Sequence, residues 1–184
     1  SKGKMSKDAH VLIFEPDYRG HQKEYIQHIC SYVARSRPDG HFSFLLHPTL
    51  HGRLSDWKTD SRIDILKIDI SDAEICNNGS LLSKDWARWK CAREGVRLTG
   101  ASHIHFLQID EVQLSLALRR SLTDKCTVSG ILFRPSIHYQ SLWGNNRSWR
   151  EYGRDLRKVV TYNTMLSNPR LTSLLTLDPY FPAY

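Results

Sequence analysis

No run of about 18 apolar residues occurs anywhere in the 184 residues, so no transmembrane helix is expected. No charged leader runs into an apolar stretch with a small-residue cleavage site either, which makes a cytoplasmic location the expectation. The four cysteines, Cys30, Cys76, Cys91 and Cys126, include no CxxC pair. Neither a disulfide framework nor a cysteine zinc site is therefore expected, and the thiols should be reduced and mostly buried. Also missing are HExxH, the GxSxG nucleophile elbow, the GxGxxG turn and the GxxxxGK[ST] phosphate loop. Their absence counts against a zinc hydrolase, a serine hydrolase and the common NAD and ATP sites, and no metal or cofactor is predicted. Pro/Ser/Gly-rich tracts and fixed-period repeats are lacking too, which excludes disordered and solenoid classes.

What is present is an ordinary globular composition, 40% hydrophobic and 10% aromatic, with a net charge of +7. The length suits one domain. The basic residues are spread along the chain, with a cluster at Arg147, Arg150, Arg154, Arg157 and Lys158. Such a surface fits an anionic partner and fits equally a solvated helix face. Ser1 to Lys4 resemble a vector-derived remnant ahead of a start at Met5, so the domain is taken as 5–184.

Short apolar runs alternate with helical patterns. Strands are expected at His10 to Phe14, Phe42 to Leu46, Ile63 to Ile70, His103 to Ile109, Val128 to Phe133 and Leu174 to Leu177. Helices are expected over His21 to Arg35, with Tyr25, Ile29, Tyr32 and Val33 as the repeating face, and over Leu81 to Thr99, closed by Gly100. Two more follow at Glu111 to Leu122 and at Ser148 to Ser167, where Ser148 and Glu151 have capping-box spacing. Thr49 to Ser61 shows no obvious period and Asp72 to Ser80 contains the turn-prone Asn77-Asn78-Gly79, so both read as surface loops. Alternation of this kind indicates βαβ crossovers. The fold class is α/β: a doubly wound, mostly parallel, Rossmann-like sheet with helices on both faces, in a single domain.

In such a sheet the ligand crevice lies outside the carboxyl ends of the strands, so the residues that follow each strand are the candidates for chemistry. After the first strand come Glu15, Asp17, Arg19, Gly20 and His21, where Gly20 permits close backbone approach at a helix N-terminus that favours an anion. An ordinary strand-to-helix turn would read the same. After the fourth strand, Asp110 can act as a base toward a hydroxyl, bind sugar hydroxyls, or cap the following helix. After the fifth, Arg134 and His138 suit phosphate or polyol recognition, and Trp143, in a loop beside Gly144, can contact a ligand; Arg134 can equally be a surface cation. His103 and His105 alternate on one strand face without a Cys/His quartet and are expected to be sheet-face residues.

The segments EPDYRGHQKEYI, ILFRPSIHY and LLTLDPYFP together resemble the N-terminal half of GT-B glycosyltransferases, closest to the retaining GT4-like group, over nearly the whole chain. In that family two Rossmann-like domains face each other, one receiving chiefly the acceptor and the other holding the nucleotide-sugar. The resemblance implies that Gly20 and His21 line the cleft near the donor phosphates or the acceptor, with Asp110, Arg134 and His138 on the same rim. Asp110 and His21 are the catalytic candidates; Arg19, Gly20, Arg134, His138 and Trp143 are the binding candidates. It also implies a C-terminal donor-binding domain beyond Tyr184, without which turnover should be negligible. Peripheral contact with a membrane fits the basic surface. The alternative is a stand-alone Rossmann-like module for an anionic partner, nucleic acid or protein; nucleic acid is the weaker choice because no nucleic-acid motif occurs.

Overall fold

Alternating strand residues must face opposite sides of a sheet, and in the computed structural model of the chain both sides of the central strands are buried. The structure describes residues 9–36, 39–54, 60–123, 125–133 and 159–176. The strands are β1 (His10–Glu15), β2 (His41–Leu46), β3 (Ile63–Lys67), β4 (His103–Phe106), β5 (Thr127–Leu132) and β6 (Leu171–Thr176). They form one all-parallel sheet in the order β3-β2-β1-β4-β5-β6. The helices are α1 (Gln22–Ser36), α2 (Pro48–Leu54), α3 (Ile70–Asn78), α4 (Leu81–Thr99) and α5 (Gln113–Ala117), with α6 over residues 159–166. The expected doubly wound α/β fold is the fold observed.

Along β1, Leu12 and Phe14 point into one core, with Trp89, Ala92 and Val96 of α4 and Tyr162 and Met165 of α6. Ile13 points into the other, with Ile26, Cys30 and Val33 of α1 and Leu50 and Leu54 of α2. Close packing against α4 depends on Gly95, where a Cβ would lie 2.5 Å from Leu45 Cδ2 and 3.0 Å from Leu12 Cδ2. The α4 boundaries are those expected. Ser80 Oγ caps the start by accepting from Ser83 N, and Gly100 ends the helix at φ 68°, a left-handed conformation that suits glycine. All four cysteines are free and buried.

Several local expectations are corrected. Of the expected face of α1, Val33 is buried and Ile29 packs against the core, but Tyr32 is 57% exposed, and the residues buried with Val33 are Ile26 and Cys30. The expected loop beginning at Thr49 contains α2, whose seven residues bury only Leu50 and Leu54. The other expected loop is α3, for which Asp69 supplies the cap by accepting from Ser71 N. Its Asn77-Asn78-Gly79 marks the helix end. β3 stops at Lys67, and Ile70 already belongs to α3. β4 stops at Phe106, followed by a 3-10 helix at Ile109–Val112. The capping box at Ser148 and Glu151 lies outside the described residues.

Candidate functional site

The strand order reverses between β1 and β4: from β1 the chain moves outward to β2 and β3, then returns to place β4 on the other side. The loops after β1 and β4 therefore diverge, and a crevice must open at their carboxyl ends. A crevice of about 580 Å³ lies there, and loop residues from Glu15 to Gln22 and from Leu107 to Glu111 line it.

On the β1 side, the loop is held by its own carboxylates. Glu15 Oε1 accepts from Asp17 N at 2.8 Å, and Asp17 Oδ1 accepts from Tyr18 N at 2.8 Å and Arg19 N at 3.0 Å. These bonds turn the chain into Gly20 at φ 76°, from which α1 starts with Tyr25 N donating to His21 O. Arg19 Nε donates back to Asp17 Oδ1 at 3.1 Å. Burial alone would raise Asp17, but the Arg19 hydrogen bonds and charge outweigh it and hold the carboxyl below its ordinary value. Glu15 behaves oppositely. It is 0% exposed, and burial pushes its carboxyl up to about 8 against the lowering effect of the Asp17 amide and Arg88. Its Oε2 has no hydrogen-bond partner among the described residues.

On the β4 side, Asp110 lies inside the 3-10 helix, so it caps no helix; the position before that helix is Gln108. Asp110 Oδ2 instead accepts from Phe133 N at 3.1 Å, tying the crevice rim to the end of β5. Its negative charge, after burial, helps to raise the Tyr162 hydroxyl.

The floor comes from α3 and α4. Lys84 and Arg88 stand one turn apart on α4 and both line the crevice. Arg88 is 4% exposed; its Nε donates to Cys76 O at 3.0 Å and its Nη2 to Asn77 Oδ1 at 3.3 Å. Asn77 Nδ2 in turn donates to Pro16 O at 2.8 Å and Ala73 O at 3.0 Å, so the α3 end, α4 and the β1 loop form one connected network.

Of the residues picked from the sequence, Arg19, Gly20, His21 and Asp110 are brought together on this crevice. Arg134, His138 and Trp143 lie outside the described residues, as does the basic cluster from Arg147 to Lys158. Sequence reasoning missed Asn77, Lys84 and Arg88. The available signal was a charged residue at a core position: Arg88 stands between Ala87 and Trp89, both buried, and Lys84 precedes it by four residues.

The alternating histidines of β4 are sheet-face residues. His103 Nε2 and His105 Nδ1 each lie 2.7 Å from Ser129 Oγ. Burial, then the charge of His103, lowers His105 to about 4. Among the described residues no cluster of three histidine, cysteine or carboxylate side chains is placed to hold a metal ion, and no helix is long and apolar enough to cross a membrane.

Compared with known proteins, the chain matches no family model and no curated protein.

Proposed function

We propose that the chain is the acceptor-binding domain of a two-domain glycosyltransferase, which works with a C-terminal domain that holds a nucleotide-sugar. The observation that carries the proposal is the crevice where strand order reverses, into which the Gly20 turn, His21 and Asp110 converge. Its walls mix hydrogen-bond acceptors and donors, among them Asp110, Glu111, Gln22, Gln108 and Asn77, the combination that a polyol requires. The motif resemblance falls on the same place, because EPDYRGHQKEYI forms the β1 side and ILFRPSIHY begins at the end of β5.

In this role the Gly20 turn admits the ligand close to the backbone, and Asp110 or His21 takes the proton of the acceptor hydroxyl as its oxygen bonds to the anomeric carbon and the bond from that carbon to the nucleotide's phosphate oxygen breaks, releasing the nucleotide. Asp110 is held by the Phe133 amide, which fixes where its carboxylate points. The second domain is needed to exclude water and to align hydroxyl and anomeric carbon, contributions of several kcal/mol.

The polypeptide read from the complete reading frame is assayed for transfer of labelled sugar from a panel of nucleotide-sugars to sugar and lipid-linked acceptors. Transfer is expected, and Asp110→Asn, which still accepts from Phe133 N, is expected to lower kcat by about 100-fold or more with little change in acceptor binding. No transfer from any donor to any acceptor would sink the proposal.

A further inference from the structure

We propose that the crevice receives a phosphoryl group of its ligand, held between the guanidinium of Arg88 and the ammonium of Lys84. The inference deepens the proposed function by naming the charged group on the ligand, and rests on that function only for the sugar to which the group is attached.

A buried arginine is normally paired with a carboxylate, because an uncompensated cation is poorly tolerated away from water. Arg88 is 4% exposed, yet its hydrogen-bond partners are a backbone carbonyl and an amide oxygen, both neutral. No ion pair involves Arg88 or Lys84 among the described residues. Of the carboxylates on the crevice, Asp17 is engaged by Arg19, burial pushes Glu15 toward its neutral form, and neither Asp110 nor Glu111 forms an ion pair with Arg88 or Lys84.

A planar guanidinium matches two oxygens of a phosphate, and a lysine one turn away adds a mobile point charge. Gly20, His21 and Gln22, at the N-terminal end of the fifteen-residue α1, line the same crevice, and a helix N-terminus favours the same sign of ligand charge. Asp110 and Glu111 on the opposite wall would repel a bare phosphate and would accept from hydroxyls. The two walls together suit a phosphorylated polyol better than inorganic phosphate.

The probes are glucose, glucose 6-phosphate, inorganic phosphate and uridine diphosphate, titrated against the chain by NMR and calorimetry. Glucose 6-phosphate is expected to bind about tenfold tighter than glucose or phosphate, the scale of one charge-assisted contact. Lys84→Gln, at a position whose side chain makes no hydrogen bond among the described residues, is expected to remove most of that advantage and leave glucose unaffected. Arg88→Lys, which keeps the charge and loses the fork, is expected to do the same provided that its thermal unfolding is unchanged. If uridine diphosphate alone shows this dependence, the phosphoryl site stands and belongs to a nucleotide. If neither phosphate compound binds tighter than glucose, or if Lys84→Gln leaves their affinity unaltered, the site is refuted. Phosphate-dependent binding without sugar transfer by the whole polypeptide supports the site and defeats the transferase. Transfer to acceptors that is insensitive to Lys84→Gln defeats the site and leaves the transferase.

Discussion

Glu15 ends β1 with its side chain removed from water, and burial pushes its carboxyl from the ordinary 4.5 up to about 8. Between those two values the unfolded chain releases a proton that the folded chain keeps, so this group lowers stability as pH rises from about 4.5 to 8. Glu15→Gln keeps the shape and abolishes the titration. Urea unfolding of the variant should give a stability gain of about 2–5 kcal/mol at pH 8.5 and a much smaller one at pH 4.5. Equal gains at both pH values would show that Glu15 is ionised in the fold. The sequence made Glu15 visible only as a carboxylate after a strand. Glu15 sits beside a network in which Asp17 N donates to its Oε1, Asn77 to Pro16 O and Arg88 to Asn77 Oδ1, and the α3, α4 and β1 segments of that network are remote in sequence from one another.

At the scale of elements, what the sequence disclosed tracked the length of each apolar pattern. α4 could be read from end to end because nineteen residues, a serine cap and a left-handed glycine agree. α2 and α3 could not, since seven- and nine-residue helices repeat their apolar face too few times to stand out from a loop. Contacts between elements were less visible still. Gly130 of β5 faces the 3-10 helix that carries Asp110, and a Cβ there would lie 2.6 Å from Ile109 Cβ and 2.9 Å from Phe106 O. Gly130→Ala must push these two segments apart, and differential scanning calorimetry should show Tm lower by about 3–8 °C. Gly52 in α2 provides the contrast, since a Cβ there meets nothing within 4 Å. Gly52→Ala should leave Tm unchanged or raise it by a few degrees through helix propensity. A Gly130→Ala protein as stable as Gly52→Ala would contradict the packing described.

For the molecule as a whole, four histidines weaken the fold as the pH falls. His10, His47, His103 and His105 are all pulled below the ordinary 6.5, with burial the leading cause in each case and His105 reaching about 4. Folded-state values lowered in this way give stability that is complete above pH 6.5 and is lost as pH falls toward the folded values. In the Glu15→Gln background, which leaves Asp85 as the carboxyl still raised by burial, the urea midpoint should fall from pH 7 to pH 4.5. A flat midpoint over that range would mean that these imidazoles are solvated in the folded protein.

The sequence by itself determined the α/β class, the parallel sheet, the identity of six strands and the position of α4, because periodicity and caps are local properties that adjacent residues impose on one another. It also pointed to Arg19, Gly20, His21 and Asp110, since residues just after strands must lie at the carboxyl edge of such a sheet. The tertiary structure alone decided that β4 returns beside β1, which is where the crevice opens. It alone brought Lys84, Arg88 and Asn77 to the crevice floor. Strand order and the neutral partners of a buried guanidinium are contacts between segments far apart in the chain, and no local period or cap encodes them.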